Sequence, residues 1–495
     1  MVEKALRYDD GSSTPDSGPV VDSLSEDERE IEPKLRRKLD LRIMPVVVLI
    51  YLLNFIDRSN YTAARLQGLE RDLHLSSSEY QVGLSVFFVG YVLGPIPSNL
   101  LLNYLGRPSS YIGLFGISWG LVTLLTSQVK SYGSIAACRF ILGVVEAPLF
   151  PGIMFYLSKW YTQRELSVRI TIFFSASHVA NAFGSLMAAG ILNGLDGHRG
   201  LSAWQWLYII EGTISIFAGF IAWSLLPDFP ENWRALSPEM KHVAIRRMAL
   251  QAAESDLDED NGTAASQLTG LKLAFTDPKL YLFSAIYICI VGSFGFTNFF
   301  PTLTSSLGYN HTISLLLAAP PFLFMTLYSI IHSLLSDRLQ SRFWFFIYPI
   351  PIAITGFILF MNTNTDSDSL GIKYASTFLM MFAVAMNGTT LSWAASSMPR
   401  PPAKRAVAYA LMNSLGNTTG IWTPFTYRDA DWPRYRLALG ICVGLQAGAA
   451  VLGTWLRVLL GRENKRLERV EREGVQGLRG GNGTASGVTG FRCIV

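Results

Sequence analysis

The apolar residues of this chain fall into about twelve blocks of roughly 18 to 25 residues, parted by short charged turns. Wound as a helix at ~1.5 Å per residue, one such block crosses the ~30 Å hydrocarbon core of a bilayer. In lipid every backbone N–H and C=O must be satisfied within the protein, which leaves helices or closed barrels. Unbroken runs of this length are helical; barrel strands are about half as long and alternate. The expected fold class is therefore an all-α membrane protein of 12 transmembrane helices in two six-helix bundles. The blocks lie at about 43–64, 81–102, 109–128, 133–157, 170–192 and 204–226, then 280–300, 313–335, 343–362, 373–396, 406–425 and 437–460. Charged residues make up 16% of the 495 and hydrophobic residues 50%. Soluble proteins average about 25% charged. A soluble enzyme, a nucleic-acid-binding domain and a disordered scaffold are excluded.

Five segments follow: an unstructured cytoplasmic tail 1–42, a bundle 43–226, a cytoplasmic loop 227–279, a bundle 280–460 and a cytoplasmic tail 461–495. The first tail turns basic at Lys34, Arg36, Arg37, Lys38 and Arg42. With both termini inside, the inner segments hold about 24 Lys and Arg against about ten outside, as the positive-inside rule requires. The acidic run Glu254–Asp260 in the central loop reads as a flexible tether. The halves echo each other. Arg169 precedes Asn181 and Gly184 by the same spacings as Arg405 precedes Asn417 and Gly420. Six-plus-six duplication of this kind is common in secondary transporters. Cys138, Cys289 and Cys442 lie in apolar blocks and Cys493 in the tail. No Cys/His spacing fits a metal, no nucleophile elbow or cofactor loop is present, and no cleavable signal peptide is visible. The chain is expected not to be an enzyme and to need no metal or cofactor.

An ionisable side chain at membrane depth costs a few kcal/mol, so each needs a partner or a wet cavity. The candidates are Asp57 and Arg58 in helix 1, Arg139 and Glu146 in helix 4, His178 in helix 5 and Glu211 in helix 6. The second half offers amides: Asn298, Asn387, Asn413 and Asn417. Arg139 and Glu146 are seven residues apart, two turns along one helix face, so each is expected to reach a partner on another helix. Asp57 and Arg58 are adjacent and diverge by ~100°. His178, Asn181 and Ser185 form one polar stripe, read as lining a cavity. Gly143, Gly184, Gly190, Gly212 and Gly219 suit close helix packing. The turn at Asp337 and Arg338 after helix 8 is read as a cytoplasmic gate latch.

Ser336 to Arg342 (Ser-Asp-Arg-Leu-Gln-Ser-Arg) resembles the signature loop of the major facilitator superfamily. More narrowly, the chain resembles fungal allantoate-permease-like members of the anion:cation symporter family. The matching stretches are Asp57–Asn60, Ile96–Asn99, Arg139–Ala147, Ser158–Tyr161, Trp206–Gly212 and Leu226–Pro230, within residues 40 to 460. The chain departs from the pattern at Gly94-Pro95, at Asn103–Pro108 and at His178 and Asn181. The resemblance implies proton-driven symport of a small organic anion, a carboxylate or vitamin. It implies that Asp57 and Glu146 exchange the proton, that Arg139 holds Glu146 ionised and that Arg58 binds the substrate carboxylate. His178, Asn181, Asn298 and Asn417 would complete the substrate site, and Asp337 and Arg338 the gate. Expected partners are the anion, protons and the lipid bilayer, with no nucleic acid, in a monomeric multi-pass protein of the plasma membrane. An exporter of a pathway metabolite on the same fold is the alternative, with a non-transporting nutrient sensor behind it.

Overall fold

The computed structural model describes residues 25–93, 107–230, 233, 235–257, 272–339, 341–363, 369–398 and 402–479, and the side chains of His178 and Asp337 lie outside that description. So do the expected motif at Ile96–Asn99, the departures at Gly94-Pro95 and Asn103–Gly106, and the end of the acidic run. Every element described is helical. In chain order they are α1 (Glu26–Arg42), α2 (Met44–Leu66), α3 (Ser77–Leu93), α4 (Pro108–Thr126), α5 (Tyr132–Glu146), α6 (Leu149–Ser158), α7 (Gln163–Leu195), α8 (Ala203–Leu225) and α9 (Pro238–Leu257). The second half holds α10 (Pro278–Ser293), α11 (His311–Leu339), α12 (Arg342–Ile347), α13 (Pro349–Asn362), α14 (Leu370–Met380), α15 (Phe382–Ser397), α16 (Pro402–Asn417) and α17 (Arg436–Arg479).

Among the described residues, ten stretches are long and apolar enough to cross a membrane. Two expected spans fall short of that length: α3 runs into undescribed residues, and α16 stops at Asn417 before a separate turn at Thr419–Trp422. Prolines break several spans because they lack the N–H and crowd the preceding turn. Pro148 parts α5 from α6 just after Glu146, and Pro349 parts α12 from α13.

Residues 26–42 differ from expectation. They form α1, opened by a capping box in which Ser25 and Glu28 exchange side-chain and backbone bonds at 2.8 and 3.4 Å. Glu26, Asp27 and Glu28 at the start and Arg42 at the end suit the helix dipole. Leu35, Leu39 and Ile43 form its buried stripe, at four-residue spacing. The start of the central loop is ordered too. Its helix α9 docks on α1, with Arg246 3.2 Å from Glu28, and Arg247 3.3 Å from Glu165 of α7. Arg169 of α7 grips Asp40 of α1 with two bonds, of 2.6 and 3.0 Å. These elements define one end of the molecule, the α1 face. The helix α17 also outruns its expected end, because residues 462–479 are rich in Glu and Arg, which favour helix.

Glycines let the helices of the first half approach closely. An added Cβ at Gly143 of α5 would lie 2.1 Å from the Phe87 carbonyl oxygen of α3, and one at Gly212 of α8 would lie 2.5 Å from a backbone nitrogen of α4. Gly190, by contrast, faces open space. Gly143→Ala should therefore cost about 1–3 kcal/mol of stability through overpacking, and Gly190→Ala nothing. Thermal unfolding of both variants in one detergent checks this; equal melting temperatures would refute the close α3–α5 crossing.

Candidate functional site

The α3–α5 crossing and the packing of α8 on α2 and α4 bring the expected charges of the first half together. Arg58 and Asp57 do diverge. Arg58 Nε donates to Glu146 Oε2 at 2.8 Å, joining α2 to α5. Asp57, 1% accessible, turns to α8, where Ser215 donates to its Oδ2 at 3.0 Å. Asn60, one turn on, donates to its Oδ1 at 3.5 Å.

The pairing within the cluster differs from that carried over by resemblance. Arg58, not Arg139, bonds Glu146. Arg139 donates from Nε to the Gly83 carbonyl of α3 at 3.3 Å, and its guanidinium lies 4.7 Å from the ring centres of both Tyr61 and Phe87. It acts on Glu146 and Asp57 only through the field. Two turns of helix separate Arg139 from Glu146, so a direct contact is out of reach. Glu146 is sealed at 0% accessibility, whereas the Arg58 side chain is 20% accessible. Arg58 sits among aromatic rings, 4.4 Å from the centre of Tyr91, 4.9 Å from Phe55 and 5.6 Å from Phe87. Such faces favour a planar cation. Glu211 is buried on α8 beside Asp57.

The other expected site residues whose side chains are described are not drawn into this cluster. Asn181 donates its amide to the Ser177 carbonyl of its own helix at 3.1 Å, and Ser185 bonds back to Asn181. The stripe on α7 thus satisfies much of itself. Asn417 likewise donates to Asn413 at 2.9 Å. Asn298 ends a short helical turn, Gly295–Asn298. Arg338 is exposed at the end of α11, and the bond across its turn runs from Arg342 to Ser336, at 3.1 Å.

Residues not anticipated as functional close the opposite end, the far face. Arg65 at the end of α2 bonds Asp429 at 2.8 Å, and Gln81 of α3 donates to the Tyr427 carbonyl at 2.7 Å. Four rings run between the halves: Tyr61 stacks on Tyr80, Tyr80 meets Phe299 edge-on, and Phe299 stacks on Tyr427 at 4.2 Å. Across the same seam Gly420 abuts the Phe88 ring. The only signal in the sequence was the bunching of aromatic residues near the outer turns.

Among the described residues the chain is all helical, with a sealed, charged cluster between helices of membrane length, the architecture of a membrane carrier. Residues 47–424 match the Major Facilitator Superfamily, and the chain belongs to that family. It is 33% identical over 450 residues to the MFS-type transporter cnsO of Penicillium expansum, covering 88% of this chain and 84% of that protein. It is 30% identical over 483 residues to the MFS-type transporter efuF of Hormonema carpetanum, covering 95% and 93%. Among solved structures, a D-xylose-proton symporter shares the fold with a TM-score of 0.63 at 15% identity, covering 84% of this chain and 97% of that one. The xylose transporter XylE from E. coli, in a partially occluded inward open conformation, gives 0.65 at 14%, with the same coverage.

Proposed function

We propose that this transporter is a proton-coupled symporter of a small organic anion, a carboxylate or vitamin-like acid. It has twelve spans in two six-helix bundles, lies in the plasma membrane as a single chain and keeps both termini cytoplasmic. The observation that carries the reading is the Arg58–Glu146 pair, with its acid sealed and its base open. An anion arriving from solvent reaches Arg58 first. To bind there it must displace Glu146, and a buried carboxylate stripped of its cation is costly unless it takes a proton. One proton on Glu146 therefore frees Arg58 for one substrate carboxylate. Asp57 lies within the field of Glu146 and shares the proton traffic. With the α1 face cytoplasmic, closure at the far face makes this an inward-facing state, and the Asp337–Arg338 turn would close the other end in the alternate state. His178, Asn181, Asn298 and Asn417 would shape the site in states where their helices rotate.

Uptake of radiolabelled benzoate, nicotinate, succinate and pantothenate into proteoliposomes at several external pH values tests the reading. Acid-stimulated uptake of at least one is expected; uptake of neutral solutes alone, indifferent to pH, would overturn it. Arg58→Lys keeps the charge but loses the planar fork and its ring contacts. It should lower uptake by more than about tenfold at normal protein yield, through loss of charge-assisted bonding. Near-normal uptake would make Arg58 a bracing residue.

A further inference from the structure

Among the described side chains, three carboxylates and two guanidiniums share the interior of the first half: Asp57, Glu146 and Glu211, and Arg58 and Arg139. Fully ionised, they leave one negative charge uncompensated. The structure shows where that excess falls. Glu146 has Arg58, and Asp57 has the Ser215 and Asn60 donors and the field of Arg139. Glu211 is 1% accessible, and neither of its carboxylate oxygens has a hydrogen-bond partner among the described residues. Among the described residues no cation bonds it or acts on it. Its own helix α8 contributes Tyr208, α2 contributes Asp57, and beyond Tyr208 lies Arg139 of α5, whose field reaches Tyr208. Facing α4, the adjacent Gly212 meets bare backbone at Gly120 and Leu124. The charge that acts on Glu211 is that of Asp57, of like sign. A buried carboxylate in such a place is tolerable only without its charge.

We propose that Glu211 holds a proton in this state and exchanges it with Asp57 during transport, as a second proton-carrying residue. Ser215 lies one turn along α8 from Glu211, on the same face, and its hydroxyl already donates to Asp57. It can accept from Glu211 while donating to Asp57. In the exchange the Glu211 O–H bond breaks, an O–H bond forms on Asp57, and the negative charge passes to Glu211; no electron transfer is involved. The transport role rests on the proton-coupled reading above; the resting proton on Glu211 does not.

Infrared difference spectra of the purified protein in liposomes, recorded across a pH titration, test both parts without a substrate. The expected result is a carbonyl stretch of a protonated carboxylic acid in the wild type that disappears as pH rises and is missing in Glu211→Gln. Asp57→Asn removes the neighbouring negative charge, so the band should vanish at lower pH, and Ser215→Ala should slow its exchange with deuterium. Should Glu211→Gln fail to fold, Glu211→Asp is expected to keep the band at a shifted position. Identical spectra for wild type and Glu211→Gln would overturn the proposal. A band lost in Glu211→Gln but untouched by Asp57→Asn and Ser215→Ala would make Glu211 an isolated structural acid and overturn the exchange. A dye-monitored absence of proton influx with each of the four carboxylates in the wild type would instead overturn the coupled reading, and the resting proton on Glu211 would stand.

Discussion

In proteoliposomes with an acidic exterior, Glu146→Gln should lose uphill accumulation of substrate while keeping exchange of labelled for unlabelled substrate. The size of the effect follows from the gradient. One pH unit is worth about 1.36 kcal/mol per proton, which sustains an accumulation of about tenfold. Wild-type protein is expected to gain about that factor per unit of gradient per proton, and the variant to stay near onefold. Glutamine is the informative replacement. It fills the same volume and still offers an oxygen to Arg58 Nε, which Glu146 Oε2 now meets at 2.8 Å. Glu146→Ala would remove the acceptor oxygen and the volume as well as the charge, and breaking a buried pair outright costs about 3–5 kcal/mol, enough to confuse lost coupling with lost protein. If Glu146→Gln still concentrates substrate with an unchanged pH dependence, the proton enters elsewhere and the competition for Arg58 is not the coupling step.

How much of this was legible in the sequence depends on the kind of contact. Ten of the twelve expected spans are matched among the described residues, and they were legible because an apolar run of membrane length has few alternatives in lipid. The members of the charged cluster were legible because charge inside such runs is rare. The divergence of Asp57 and Arg58 followed from helix geometry alone. Their partners did not, since the Arg58–Glu146 bond joins residues 88 positions apart and depends on how α2 crosses α5. Close packing was largely legible: Gly143, Gly212 and Gly219 sit at crossings and an added Cβ at Gly184 would lie 3.0 Å from Ser59 Oγ, whereas Gly190, of the same residue type in a similar block, faces open space. The helix α1 was masked by its polar composition, although its Ser25/Glu28 capping pair and its Leu35, Leu39, Ile43 stripe are plain once sought. The latch was expected at Asp337 and Arg338 because a signature loop falls there. In this state the halves are tied at the opposite end, by residues whose partners lie up to 364 positions away.

Loosening that far-face seam should change the conformational balance more than any change at the α1 face. Beyond the packing of Gly420 on the Phe88 ring, three of the contacts described above cross it. The Arg65–Asp429 pair is worth little more than ~1 kcal/mol, because Asp429 is 54% exposed. The buried bond from Gln81 to the Tyr427 carbonyl is worth ~1 kcal/mol, and more if its loss leaves that carbonyl unsatisfied. The edge-on contact of Tyr80 with Phe299 adds ~0.5–1.5 kcal/mol. Arg65 also lies 4.6 Å from the centre of the Tyr80 ring, so its removal weakens two of the three. The double variant Arg65→Ala, Gln81→Ala should therefore shift the balance towards far-face opening by about 2–3 kcal/mol, roughly 30- to 150-fold. A Ser85→Cys reporter, one turn inside Gln81 and buried at 4%, reads this in a protein whose native cysteines are replaced. An impermeant maleimide applied to the far face should label the reporter about 30-fold faster or more in the double variant. The seam also carries its own pH response. Glu70 competes for Arg65 at 3.0 Å, and burial pushes its carboxyl above the ordinary range despite that cation. Acidifying the far face neutralises Glu70 and leaves Arg65 wholly to Asp429, which tightens the seam and slows labelling in the wild type; Glu70→Gln should abolish that slowing. The helices α7 and α11 also pack on each other across the halves, and labelling that is equally fast in wild type and double variant would show that this packing holds the halves and that the far-face bonds follow the motion without governing it.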